Sequence, residues 1–144
     1  MDSPRKKVVI DSSVLVKWLS EHDENHITQA NQVLDDVKEG KLDPYAPELA
    51  KYEVANALLT GKGIAPTDVK VSLATLYSAP IHFVSETLEL AEIAYKFAYE
   101  SGITYYDASF VALADYLDAT LVTANPKHQA KVRSVKVVAL EDYK

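Results

Sequence analysis

Short β-branched runs alternate with longer stretches of helical periodicity along this chain, the pattern of a parallel sheet covered by helices. The apolar runs predict strands near Val8 to Asp11, Tyr45 to Ala46, His82 to Ser85, Thr120 to Thr123 and Val135 to Ala139, which together make one five-stranded sheet. Helical spacing predicts helices from Val14 to Ser20, Ile27 to Glu39, Glu48 to Thr60, Thr67 to Tyr77, Thr87 to Glu100 and Tyr105 to Leu117. Gly40, Gly61-Lys62-Gly63 and Gly102 stop helices, and Gly61 to Pro66 is expected to be a helix-to-helix turn. The fold class is therefore α/β. At 144 residues, 48% of them hydrophobic, the chain is read as a single domain over 1–144 with enough apolar content for a core without staples.

Composition narrows the chemistry. There is no cysteine, so a disulfide framework, a thiolate metal site and a cysteine nucleophile are all excluded. No apolar run approaches the twenty or so residues of a membrane span, and Met1 to Lys7 lead directly into a strand pattern, so a cytoplasmic protein is expected. The formal net charge of -6 argues against loose, sequence-independent nucleic-acid binding, which rests on a basic surface. It does not exclude nucleic acid: acids gathered in one pocket make the total negative, and a multivalent cation reverses the local sign.

Four polar positions stand out. Asp11 ends the run Val8-Val9-Ile10, where a buried strand gives way to a helix; in open α/β sheets ligands bind beyond the carboxyl ends of the strands. Capping of that helix by Asp11, Ser12 or Ser13 is the competing account. Pro47-Glu48 opens a helix that is apolar nearly all round, through Leu49, Tyr52, Val54, Ala55, Ala57, Leu58 and Leu59, so it is expected to be mostly buried with Glu53 and Asn56 sharing one side. A carboxylate there must be paired, protonated or bound to a cation, and Lys51 faces elsewhere on the helix. Asp107 fits a capping box with Thr104 and also lies on the stripe of Phe110, Val111 and Ala114. Asn125 follows the strand Thr120 to Thr123 and mirrors Asp11, though a turn before Pro126 explains it equally well. Gathered together, these oxygen donors would favour Mg²⁺ or Mn²⁺, ions that lower the pKa of a bound water and neutralise a phosphate under in-line attack.

The run Val9 to Trp18 (VIDSSVLVKW), the stretch Pro47 to Leu58 (PELAKYEVANAL), Tyr106-Asp107-Ala108-Ser109-Phe110 and Leu121-Val122-Thr123-Ala124-Asn125 resemble, in this order, the PIN-domain ribonucleases, and within them the VapC-type toxins of toxin–antitoxin pairs. The resemblance implies a three-layer α/β/α domain around a five-stranded parallel sheet, an acidic pocket holding Mg²⁺ or Mn²⁺, and endonucleolytic hydrolysis of RNA. It implies Asp11 and Asp107 as principal metal ligands. Glu53 would complete the pocket and help position the attacking water, with Ser12, Asn56 and Thr123 in support. A cognate antitoxin and a homodimer are implied as well. Where the family usually has an aspartate this chain has Asn125, which implies lowered activity.

Other features receive structural readings. His22-Asp23-Glu24-Asn25-His26 has the wrong order for a zinc helix and is expected to be a solvated loop. The nine tyrosines are expected mainly in the core or an interface, with stacking on unpaired bases as the alternative. Lys17 and Lys127, with His128, Lys131 and Arg133, are candidates for a rim that holds RNA phosphates. Val69, Leu73, Leu76 and Tyr77 form an apolar stripe that suits core packing, or a second copy or antitoxin helix. Two rival functions remain: a binding module of the same fold weakened by Asn125, and a phosphotransfer domain, which the absence of a second acid two positions after Asp11 disfavours.

Overall fold

The computed structural model describes residues 4–144. Its centre is a five-stranded sheet of order β3-β2-β1-β4-β5, with β1 at Lys6–Ile10, β2 at Leu42–Pro47, β3 at His82–Val84, β4 at Thr120–Thr123 and β5 at Val137–Ala139. All four pairings are parallel. The central pair is buried on both faces: Val8, Val9, Ile10, Leu121 and Val122 are inaccessible or nearly so, which is why these strands read as unbroken apolar runs.

Chain order dictates where the helices go. From β1 through β2 to β3 the sheet grows one way, and from β4 to β5 it grows the other. Right-handed crossovers therefore put α1 (Ser12–Leu19), α2 (Ile27–Lys38), α3 (Leu49–Asn56) and α4 (Pro66–Ser78) on one face, and α5 (Leu88–Ser101), α6 (Tyr105–Leu117) and α7 (Pro126–Gln129) on the other. This is the three-layer α/β/α arrangement. On its face α6 is the central element, burying Ala108 and every residue from Phe110 to Ala114. Phe110 is the largest of these, and its truncation to alanine would cost about 3–5 kcal/mol.

Several sequence expectations are corrected. β2 extends well beyond Tyr45-Ala46 despite two prolines, because β3 begins to pair only at Tyr45, so Pro44 lies where β2 is still an edge. The helix expected over Glu48 to Thr60 stops at Asn56 and continues as a π turn over Ala57–Gly61. Nor is it mostly buried: Tyr52 and Leu59 are 75% and 65% exposed, and only Ala50, Val54 and Leu58 are fully covered. On α4 only Leu76 of the expected stripe is buried, and Tyr77 is exposed. Six tyrosines (Tyr52, Tyr77, Tyr95, Tyr99, Tyr106 and Tyr116) are exposed, so most of them do not fill the core. Among the described residues no helix is long and apolar enough to cross a membrane.

Candidate active site

The direction of sheet growth reverses between β1 and β4, and at such a switch point the loops diverge and leave a crevice beyond the strand ends. Asp11 follows β1 at this point and is 8% exposed. It is the N-cap of α1: Oδ2 accepts from the Ser13 backbone N–H at 3.0 Å and from the Ser13 hydroxyl at 2.6 Å. The capping account of Asp11 thus holds, with Oδ2 on the helix N-terminus and Oδ1 turned elsewhere. Oδ1 accepts from the Gln129 side-chain amide at 2.9 Å. The Ser13 hydroxyl also accepts from the Ala124 N–H at 3.0 Å, tying the ends of β1 and β4 together.

Glu53 reaches the same end of the sheet from α3. The Ser12 hydroxyl donates to its Oε1 at 2.8 Å, while Lys51 pairs with Glu48 instead, so the expected divergence of Lys51 holds. Burial raises the pKa of Glu53; the Ser12 bond works against this, and the charges of Asp11 and Asp107 add to the rise. Asp107 comes from the first turn of α6, where the Thr104 hydroxyl accepts from its N–H at 3.0 Å as the capping pattern predicts. Its pKa is also raised, by burial first and then by the charge of Asp11, with Thr104 and His128 offsetting part of the rise.

Three carboxylates from three elements therefore sense one another's charge, and among the described residues none of them is in an ion pair. In donor type and charge this set suits a hard divalent cation. It is not a closed cage: among the described residues no three acidic or histidine side chains converge tightly enough to hold an ion as they stand. Two of the acids take donors from other segments, Asp11 from Gln129 and Glu53 from Ser12.

The remaining candidates are placed unevenly. Ser12 and Thr123 are buried, and Thr123 accepts from the Asn125 N–H at 3.1 Å. Asn56 and Asn125 are exposed, and Asn125 makes no side-chain cap to α7. Lys127, His128, Lys131 and Arg133 are exposed, as a phosphate-binding rim requires. Lys17 departs from that expectation: it is 6% exposed and donates to Glu24 at 2.8 Å, and Lys62 donates to the same carboxylate at 2.8 Å and to the His22 carbonyl. Glu24 thus holds two lysines from within the loop expected to be merely solvated. Burial pushes its pKa up, but the bonds from Lys17 and Lys62 outweigh this and leave it lowered. A cleft of about 220 Å³ opens beside the first turns of α3 and α6, between Pro47, Glu48, Leu90, Tyr105 and Tyr106. The Tyr105 hydroxyl donates to Glu86 there at 2.6 Å, and burial and that carboxylate push its pKa up to about 12.

The sequence model of the PIN domain matches residues 8–134, most of the chain. The chain belongs to the PIN domain family. Among solved structures, this PIN domain is similar to FitAcB from Neisseria gonorrhoeae, at a TM-score of 0.73 and 16% identity over 94% of this chain and 99% of that one. A toxin–antitoxin complex from Klebsiella pneumoniae matches at a TM-score of 0.65 and 18% identity, over 92% and 97% of the two chains. VapC20 of Mycobacterium tuberculosis, a sarcin-ricin loop cleaving toxin, matches at 0.62 and 13% identity, over 79% and 86%. No curated protein sequence gives a significant match.

Two groups that touch Asp11 were not among the expected site residues. Ser13 belongs to the resembling motif and reads from the sequence only as a candidate helix cap, and Gln129 carries no motif. Its sequence signal is faint: it lies four positions after Asn125, hence on the same side of a helix that Pro126 starts.

Proposed function

We propose that this PIN domain is a divalent-metal-dependent endoribonuclease that acts as the toxin of a toxin–antitoxin pair. The observation that carries the reading is the placement of Asp11, Glu53 and Asp107 at the β1/β4 switch point with none of them in an ion pair among the described residues. Asp11, Asp107 and Glu53 would hold Mg²⁺ or Mn²⁺. Such an ion, when bound, makes a water more acidic and neutralises charge on the phosphate. Glu53 would complete the acidic pocket and help position the attacking water. The water oxygen would bond to phosphorus as one ester P–O bond breaks, and the proton released from that water would be balanced by one taken from solvent by the departing ribose oxygen. Ser12 keeps Glu53 oriented, Thr123 and Ser13 keep the strand ends together, and the exposed Lys127 supplies phosphate contacts. The similar folds, among them a toxin–antitoxin complex and a sarcin-ricin loop cleaving toxin, support a cognate antitoxin as partner and RNA as substrate. We further propose a homodimer in the cytoplasm.

The test is cleavage of single-stranded RNA with Mg²⁺ or Mn²⁺ by the native chain and by Asp11→Asn. The substitution keeps an oxygen for the α1 cap while removing the charge, so it is expected to slow cleavage about a hundredfold or more, the equivalent of several kcal/mol of lost charge stabilisation. Equal cleavage by both proteins overturns the assignment. The absence of a closed cage and the exposed Asn125 favour a second reading, an RNA-binding module without turnover. RNA retention without cleavage by the native chain would establish it.

A further inference from the structure

We propose that Gln129 is a positioning residue for the metal-ligating carboxylate of Asp11, acting through its side-chain amide. This rests on the metal-site reading above and deepens it. Gln129 is 1% exposed, although it belongs to a four-residue helix whose neighbours Lys127, His128 and Ala130 are all exposed. A long polar side chain turned inward from such a short, wet helix loses water contacts that its new partners must replace. Its Nε2 has two acceptors: Asp11 Oδ1 at 2.9 Å, and the Asp107 backbone carbonyl at 3.5 Å. One amide therefore touches both segments that supply the principal acids. The bond to Asp11 spans 118 positions of sequence, so it is a product of the fold and not of local geometry.

Asp11 Oδ2 is already committed to the Ser13 N–H and hydroxyl, so Oδ1 is the oxygen whose direction is free to be set. A neutral donor is suited to setting it. An ammonium or guanidinium at that point would neutralise the carboxylate and compete with a cation, whereas an amide N–H fixes the carboxylate plane and leaves its charge available. The amide orientation follows from the chemistry, because the reverse assignment would set an oxygen against the Asp11 carboxylate. The other end of the amide supports a polar role: Gln129 Oε1 is buried and accepts no hydrogen bond among the described residues. Only packing would be served as well by an apolar side chain, without an orphaned acceptor.

The experiment is calorimetric titration of Mn²⁺ into the full chain, beside thermal melts in chelator, for the native protein, Asp11→Asn, Gln129→Met and Gln129→Asn. Met conserves volume and removes the amide; Asn keeps the amide but withdraws it by one methylene. The expected result is native Mn²⁺ binding, its loss in Asp11→Asn, and a roughly tenfold to hundredfold weaker Kd in Gln129→Met, the usual effect of removing an outer hydrogen-bond partner of a ligand. Gln129→Asn is expected to fall between native and Met, and it carries the test alone if Met does not fold. A structural filler would shift the melt and leave the Kd unchanged. Mn²⁺ affinity within twofold of native in the folded Gln129 variants, while Asp11→Asn loses binding, overturns the role of Gln129 and spares the metal site. Native and Asp11→Asn proteins that take up Mn²⁺ equally poorly overturn both.

Discussion

The Ser12 hydroxyl donates to Glu53 Oε1 at 2.8 Å, so the residue next to the strand-end aspartate holds the acid supplied by a different helix. Ser12 and Ser13 thereby divide the work at the start of α1. Ser13 turns back onto Asp11 and across to β4, while Ser12 faces α3. Adjacent residues at a helix N-terminus point in different directions, which lets one dipeptide link β1, β4 and α3.

Ser12→Ala removes the interaction that opposes the rise in the pKa of Glu53 while leaving its burial in place. Carboxyl NMR titration in chelator is expected to show Glu53 ionising at higher pH than in the native chain. Mn²⁺-dependent RNA cleavage is expected to fall about threefold to tenfold, the equivalent of one hydrogen bond worth about 0.5–1.5 kcal/mol. An unmoved Glu53 titration would mean that the bond does not persist in solution.

Glu53 and Asp107 both keep their protons to higher pH folded than unfolded. The folded state then binds more protons than the unfolded state between the ordinary carboxylate value, about 4, and the raised values, so stability falls as pH rises through that window. In chelator the melting temperature is expected to drop across it. Glu53→Gln and Asp107→Asn should flatten the drop and be more stable than the native chain at neutral pH. Mn²⁺ at a hundredfold excess over its Kd should raise the native melt by roughly 5–10 °C and leave the two variants nearly unmoved. Destabilised variants in chelator would show that these carboxylates serve their local hydrogen bonds and not a cation.

Much of this organisation was legible because β1 and β4 are buried on both faces, so Val8 to Ile10 and Thr120 to Val122 announce themselves as strands. The matching end of α6 was legible for a different reason: Thr104 and Asp107 have cap spacing and the following residues are apolar. What escaped depends on contacts between distant segments. Pro44 reads as a strand breaker until β3 is known to pair with β2 only from Tyr45 onward. The burial of Lys17 needs Glu24, which sits in a run of exposed polar residues, and that of Gln129 needs Asp11 at the other end of the chain. Polar residues buried by long-range partners leave no periodic signal.

Glu24 bridges Lys17 of α1 and Lys62 beyond the π turn, and its pKa is lowered, so its sign is the opposite of that of Glu53. Its contribution is present above the ordinary glutamate value and lost as pH falls through the lowered one. Glu24→Gln leaves two poorly exposed ammonium groups short of an anion and is expected to cost about 2 kcal/mol at neutral pH. Denaturant unfolding as a function of pH checks this: the gap between native and variant should begin to narrow as pH falls through the ordinary glutamate value, about 4.3, and close only below the lowered one. A gap that is constant with pH would assign the loss to packing.

Asn125 stands where the resemblance implies an acid, yet its side chain is exposed and caps nothing. A carboxylate introduced there would be solvated on most sides, and exposed charges interact by only about 0.2–1 kcal/mol. Asn125→Asp is therefore expected to tighten Mn²⁺ binding by no more than about fivefold, and to raise RNA cleavage by a similar modest factor. The physical alternative is that the β4–α7 turn closes on the cation and brings position 125 into direct coordination. An added ligand charge would then act at short range in a drier setting, and the gain would exceed tenfold. Calorimetry of the native chain and Asn125→Asp under one set of conditions decides between the two: a gain above tenfold would show that this turn moves when metal binds.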